Sequence, residues 1–172
     1  MSDLIAAIEN SGISVWIRES PSVIGYTLVL SVHVVGLALV IGISTVIALR
    51  LLGAVPELPL APLKKAFPVL YIAFWCNAIS GLGLLAADAS KMLSFPVFWV
   101  KLVFIALGVL VMRALSNLVF NDAALARAGG GQVPAAGRKL AIASLVCWAG
   151  ALIAGRLTSY PELFGTSAGF QP

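Results

Sequence analysis

The chain has 172 residues, of which 60% are apolar and 10% charged, whereas an ordinary soluble domain has about 45–50% and about 25%. That leaves too little polar surface to cover a water-soluble fold. The formal charge of +4 comes from 11 Lys and Arg that lie in short clusters between apolar blocks, which argues against a basic stripe for nucleic acid and for a membrane topology signal.

Residues 1–19 carry mostly acidic charge and lack a short apolar core followed by a small-residue cleavage site, so they are not expected to be a cleaved leader. Leu4, Ile5 and Ile8, then Ile13, Trp16 and Ile17, predict one or two amphipathic turns lying at a membrane interface, and Gly12 breaks them apart. The domain reading is therefore an interfacial segment over 1–20 and a transmembrane domain over 21–172. A spanning helix needs about 20 mainly apolar residues, and four stretches qualify: 22–52, 67–88, 97–120 and 138–157. Ser20-Pro21 resembles an N-cap with proline at the first helical position, and Phe95-Pro96 resembles a second such start. Pro56, Pro59 and Pro62 mark 53–66 as a surface loop, and Gly129, Gly130 and Gly131 mark 128–137 as another. The predicted fold is an all-α integral membrane protein, a bundle of four transmembrane helices.

Basic residues near the spans are retained in the cytoplasm. One side holds Arg50, Lys64, Lys65, Arg113, Arg127, Arg138 and Lys139, and the other holds Arg18, Lys91, Lys101 and Arg156. This asymmetry places both termini on the periplasmic side of a bacterial inner membrane.

Ionisable residues inside apolar spans are costly and mark candidate sites. His33, the sole histidine, lies about eleven residues into the first span, roughly 17 Å along a helix rising ~1.5 Å per residue. Its bland role is a neutral imidazole bonded to a neighbouring helix; its sharper roles are a cofactor-binding axial haem ligand, a proton relay or a metal ligand. Asp88, Lys101 and Arg156 fall toward the same end of the bundle. They are expected to form a polar cluster in which at least one pair reaches salt-bridge distance, against the alternative that the cations snorkel to lipid phosphate. Tyr160 either joins this cluster or belongs to an interfacial aromatic belt with Trp16, Tyr26 and Trp99. Asn77 fits an interhelical hydrogen bond, and Cys76 and Cys147 read as structural thiols. The small-residue pairs Gly83/Ala87 and Ala151/Gly155 point to packing of the second span on the fourth, or to homodimerisation.

The segments Leu30-Ser31-Val32-His33-Val34-Val35-Gly36, Leu49-Arg50-Leu51-Leu52-Gly53, Ser80-Gly81 through Asp88-Ala89, Phe98-Trp99-Val100-Lys101 and Ala154-Gly155-Arg156 to Tyr160 carry a resemblance. Along most of its length the chain resembles an uncharacterised family of small bacterial four-helix inner-membrane proteins. The resemblance marks His33, Asp88, Lys101, Arg156 and Tyr160 as pattern positions and implies no activity. Ala48 and Asn121 depart from it, standing where an acid and a histidine are expected. More loosely, the chain is similar to the membrane domains of copper-resistance protein D and of cytochrome b561, in which a mid-helix histidine serves redox chemistry. With one histidine, ligation of haem by two imidazoles within a monomer is excluded, which leaves a partner's ligand or a weaker one such as Met92 or Met112. No CxxCH motif is present for covalent haem.

There is no HExxH, phosphate-binding glycine loop or nucleophile–base spacing, so a self-contained enzyme is not expected. The leading expectation is a small membrane subunit of a redox or respiratory-type assembly for electron transport. Its cluster around His33 would bind haem b, a quinone or a partner, with other membrane subunits or a second copy as companions. The alternatives are a small transporter or channel-like module and a structural membrane scaffold.

Overall fold

In the computed structural model, residues 2–20, 24–121 and 133–160 are described. Two short helices, α1 (Ser2–Glu9) and α2 (Gly12–Glu19), precede α3 (Tyr26–Leu52), α4 (Leu60–Ala87), the short α5 (Ala89–Ser94), α6 (Pro96–Asn121) and α7 (Ala135–Leu157). Four of these, α3, α4, α6 and α7, are long and apolar enough to cross a membrane. The fold is thus an all-α, four-helix membrane bundle, as composition and span length required.

Boundaries moved for physical reasons. The first span begins at Tyr26 and not at 22, so His33 sits two turns, roughly 10 Å, below the helix start. The second begins at Leu60, seven residues before the expected start. Pro59 serves there as N-cap and Pro62 falls in the first turn, where a missing N–H costs nothing, so those prolines open a helix instead of a loop. Pro21 and Gly129 to Gly131 lie outside the described residues.

Helix α3 packs along α4 and α7, and α6 along α7. Packing of the second span on the fourth is not the arrangement. Gly83 of α4 is instead covered by Ile17 of α2 and Val29 of α3. On α3 the inward stripe runs through Gly36, Val40, Ser44, Ile47 and Leu51, a spacing of three and four residues that keeps one face toward its neighbours. Of these, Val40, Ile47 and Leu51 join Phe67, Leu70, Met112, Leu115 and Trp148 in one buried cluster toward the end where α3 finishes. Gly53 ends α3 at φ 84°, a left-handed cap that other side chains resist. Arg50, 2% exposed, donates from Nε to the Leu58 carbonyl and ties down the α3–α4 loop. Leu39, Val46, Ile72, Ile79, Val103 and Leu110 are among many large apolar side chains facing outward, the surface a lipid bilayer accepts and water does not.

The N-terminal segment forms two helices separated at Gly12, and it docks on the bundle end where α3 begins. Ser14 is fully buried, its Oγ donating to the Ile8 carbonyl at 2.8 Å, and Ile17 is 3% exposed. Glu9 Oε1 accepts from the Ser90 N–H and Oγ, both at 2.7 Å. It thereby satisfies a first-turn donor of α5 that has no partner within that helix.

Candidate functional site

His33 stands on the face of α3 that meets α4, in the half of the bundle where the apolar cluster has ended. Its Nδ1 lies 2.9 Å from the Asn77 carbonyl oxygen and 3.3 Å from Ser80 Oγ. A carbonyl oxygen only accepts, so Nδ1 carries the proton, and in the neutral imidazole Nε2 is left as a lone-pair acceptor. Ser80 Oγ in turn donates to the Cys76 carbonyl at 2.7 Å, which frees its own lone pairs to face the ring. The close approach needs glycine: a Cβ on Gly81 would come within 2.9 Å of His33 Cε1, and one on Gly36 within 3.1 Å of the Ala73 carbonyl. Asn77, Ser80, Gly81, Leu84 and Asp88 recur at three- and four-residue intervals, so one stripe of α4 both orients the imidazole and continues past it.

Beyond the ring is a cavity of about 560 Å³, lined among others by His33, Leu84, Phe98, Lys101, Asp88 and Arg18. Its size falls in the range of small-molecule sites, roughly 300–1,000 Å³. The half-buried His33 makes its described hydrogen bonds through Nδ1 alone, and Nε2 is not among the sealed, unpartnered polar atoms. Nε2 is therefore not sealed off, and the ring that carries it lines the cavity. Lys101, also half-buried, reaches in from α6 with its stem over Gly155 and has neither a hydrogen bond nor an ion pair among the described residues. Arg18 is already committed in part: Nη1 donates to the Ala87 carbonyl at 3.3 Å and Nη2 pairs with Glu19 at 3.1 Å.

The four positions expected to form one cluster divide into two groups. Asp88 and Lys101 share the cavity with His33. They form no ion pair, because Asp88 Oδ2 faces Lys91 at 3.9 Å. Arg156 points outward, its Nη2 donating to Tyr160 Oη at 3.2 Å with the guanidinium carbon 5.5 Å from the ring centroid. The reason is angular. On α7 the inward stripe is Ala151 and Ala154, and Gly155 borders the cavity, which turns residue 156 about 200° away from 154 at ~100° per residue.

Asn77 contributes its main-chain oxygen, while its side-chain Oδ1 is buried without a partner. Arg18 and Met92 line the cavity from segments outside the four spans, and hydropathy gave no signal for either. Met112 is 2% exposed within the distant apolar cluster. Among the described residues no group of three or more His, Cys, Asp or Glu could hold an ion, so His33 lacks the company that a bare metal centre requires.

Outside the membrane-spanning helices, the two hydrogen bonds from Ser90, the hydroxyl first and the backbone N–H second, hold the Glu9 carboxyl below its ordinary value of 4.5. Comparison of the chain with protein-family models, with curated proteins and with solved structures finds no match.

Proposed function

We propose that this chain is a small membrane subunit of a redox or respiratory-type assembly, and that its His33 cavity holds a membrane-soluble redox ligand, haem b or a quinone headgroup. One observation carries the reading: an imidazole whose Nδ1 is fixed by a backbone carbonyl presents Nε2 to an amphipathic cavity. A hydrogen bond at the other ring nitrogen selects the tautomer and aims the lone pair, as it does in protein-held metal and haem sites.

Both ligand classes fit the side chains present. For haem b, His33 Nε2 would hold the iron, with Met92 bringing a thioether to the same cavity and Arg18 and Lys101 bringing cations that would neutralise the propionates. Bound haem would supply a one-electron couple; the chain's part is to ligate it, to neutralise its carboxylates and to exclude water with Leu84 and Phe98. For a quinone headgroup, Lys101 donates to an oxygen and the apolar walls accept the ring. The unbroken course of the four long helices favours this reading over a transporter, since small transporters commonly rely on a broken helix, an internal repeat or oligomerisation.

The inner-membrane setting and periplasmic termini belong to the proposal and are supported by the seven-to-four distribution of basic residues. A reporter fused after residue 172 is expected to be active as alkaline phosphatase and dark as a cytoplasm-dependent fluorescent protein. Companion subunits or a second copy would supply the electron partner that a lone cavity lacks.

The test is purification in mild detergent, followed by an absorption spectrum and organic extraction. Wild type is expected to carry a Soret band or a stoichiometric quinone, and His33→Leu to lose the Soret band or to retain the quinone more weakly. A colourless, quinone-free wild type that also fails to take up added haem or quinone would remove the proposal.

A further inference from the structure

The hydrogen-bonding polarity of the cavity selects between the two redox states of a quinone. We infer that the His33 cavity takes a lipid-soluble hydroquinone in preference to its oxidised quinone, with a phenolic hydroxyl donating to His33 Nε2 and a headgroup oxygen accepting from the Lys101 ammonium. The inference rests on the redox-ligand reading and narrows it to one chemical form.

Nδ1 is held against the Asn77 carbonyl, so the neutral ring offers the cavity an acceptor and no donor. An oxidised quinone also offers only acceptors, its two carbonyl oxygens. Placed together, these groups leave both lone pairs facing each other without a proton between them, and a desolvated polar atom without a partner is costly. The reduced form carries the missing hydrogen on oxygen, and the contact becomes an O–H···N bond. Lys101 acts differently. Its ammonium has three protons and no described partner, and it can donate to a carbonyl oxygen or to a phenolic oxygen alike. Tyr26, whose hydroxyl donates and accepts, also lines the cavity and discriminates no better. Selection therefore resides in His33, and general affinity resides in Lys101 and in the apolar walls Leu30, Leu84 and Phe98. Leu30, 36% exposed, lies where an isoprenoid or alkyl tail can leave the headgroup for surrounding lipid.

The experiment is anaerobic titration of the full chain in nanodiscs with a decyl-tailed benzoquinone and with its hydroquinone, read by isothermal titration calorimetry. Wild type is expected to bind the hydroquinone about tenfold more tightly, the scale of one neutral hydrogen bond gained instead of lost. His33→Leu should abolish the preference, and Lys101→Met should weaken both forms by a similar factor while keeping the preference. If His33→Leu elutes as aggregate, His33→Gln replaces it. Its rotatable amide offers either a donor or an acceptor, so binding should survive and the preference should vanish. Equal or tighter binding of the oxidised form by wild type, or a preference that persists without His33, overturns the inference. A Soret band with no hydroquinone binding overturns it as well and leaves the redox-subunit reading standing, whereas absence of both ligands removes the two together.

Discussion

At the end of the bundle where α3 finishes, Ile47, Leu51, Phe67, Leu70 and Val119 are each no more than 1% exposed, and the helices meet mostly through apolar side chains, with Ser44, Arg50 and Ser144 buried among them. At the end where α3 begins, the same helices diverge around His33, Lys101 and Asp88 and leave a cavity of about 560 Å³. The inward stripe of α3 changes character along its length, from His33 and Gly36 to Val40, Ile47 and Leu51. Interiors normally close to crystal-like density, so a membrane bundle that fills one end and leaves the other open around an oriented imidazole has divided its length. One half holds the apolar core and the other the candidate site.

Substitutions at the two ends should separate stability from binding. The largest effect on folding is expected for Phe67→Ala, where a fully buried ring is removed: a loss of about 3 kcal/mol or more in reversible detergent unfolding, with ligand affinity of the folded fraction unchanged. Loss of binding in a variant that remains folded would show that the far core shapes the cavity directly. His33→Leu should do the reverse. It forfeits one hydrogen bond, about 1 kcal/mol of stability, yet loses haem or, where the ligand is a quinone, the preference for its reduced form.

A paired comparison sharpens the division. At Gly81 an added methyl would sit 2.9 Å from His33 Cε1, whereas at Gly42 it would meet nothing. Both changes gain up to about 1 kcal/mol of helix propensity. Gly42→Ala should keep that gain with normal binding. Gly81→Ala should spend it on displacing the imidazole and should bind several-fold more weakly; titration calorimetry on the two variants decides, and equal affinities would mean that the ring orientation does not matter.

The smallest effect concerns the docked N-terminal segment, which brings Arg18 to the cavity. Because hydrogen bonds from Ser90 depress the folded pKa of Glu9 below 4.5, its contribution to docking is complete above the ordinary carboxylate value. It is lost as pH falls through the lower, folded value. Spin labels at residues 7 and 94 should report a single distance at neutral pH that broadens only in acid. Glu9→Ala should broaden it at every pH, and a wild-type distance independent of pH would show that other contacts hold the segment.

The spans were legible because runs of about twenty apolar residues have one common use. Their starts were less so: Pro59 and Pro62 read as loop markers although proline is equally at home in a first turn, and the six residues of α5 are too few to carry a periodic signal. His33, Asp88 and Lys101 stood out as ionisable residues in apolar surroundings, and the cavity unites them. Arg156 was assigned by depth alone, and depth does not fix the angle around the helix. The group that orients His33 could not be read at all, since the Asn77 carbonyl belongs to a main chain that every residue shares. Arg18 was hidden because it enters from outside the spans, and Met92, from the short α5, was legible only as one of two methionines.

The division of the bundle turns on which nitrogen of His33 is free, and the chain's single histidine makes that nitrogen directly observable. Selective ¹⁵N-histidine labelling of the full chain in nanodiscs gives resonances from one imidazole only. At neutral pH a protonated Nδ1 and an unprotonated Nε2 are expected, with the Nε2 resonance moving when the decyl-tailed hydroquinone is added or shifting strongly if haem iron is bound. A ring protonated at Nε2 instead, or an Nε2 resonance indifferent to both ligands, would contradict that expectation.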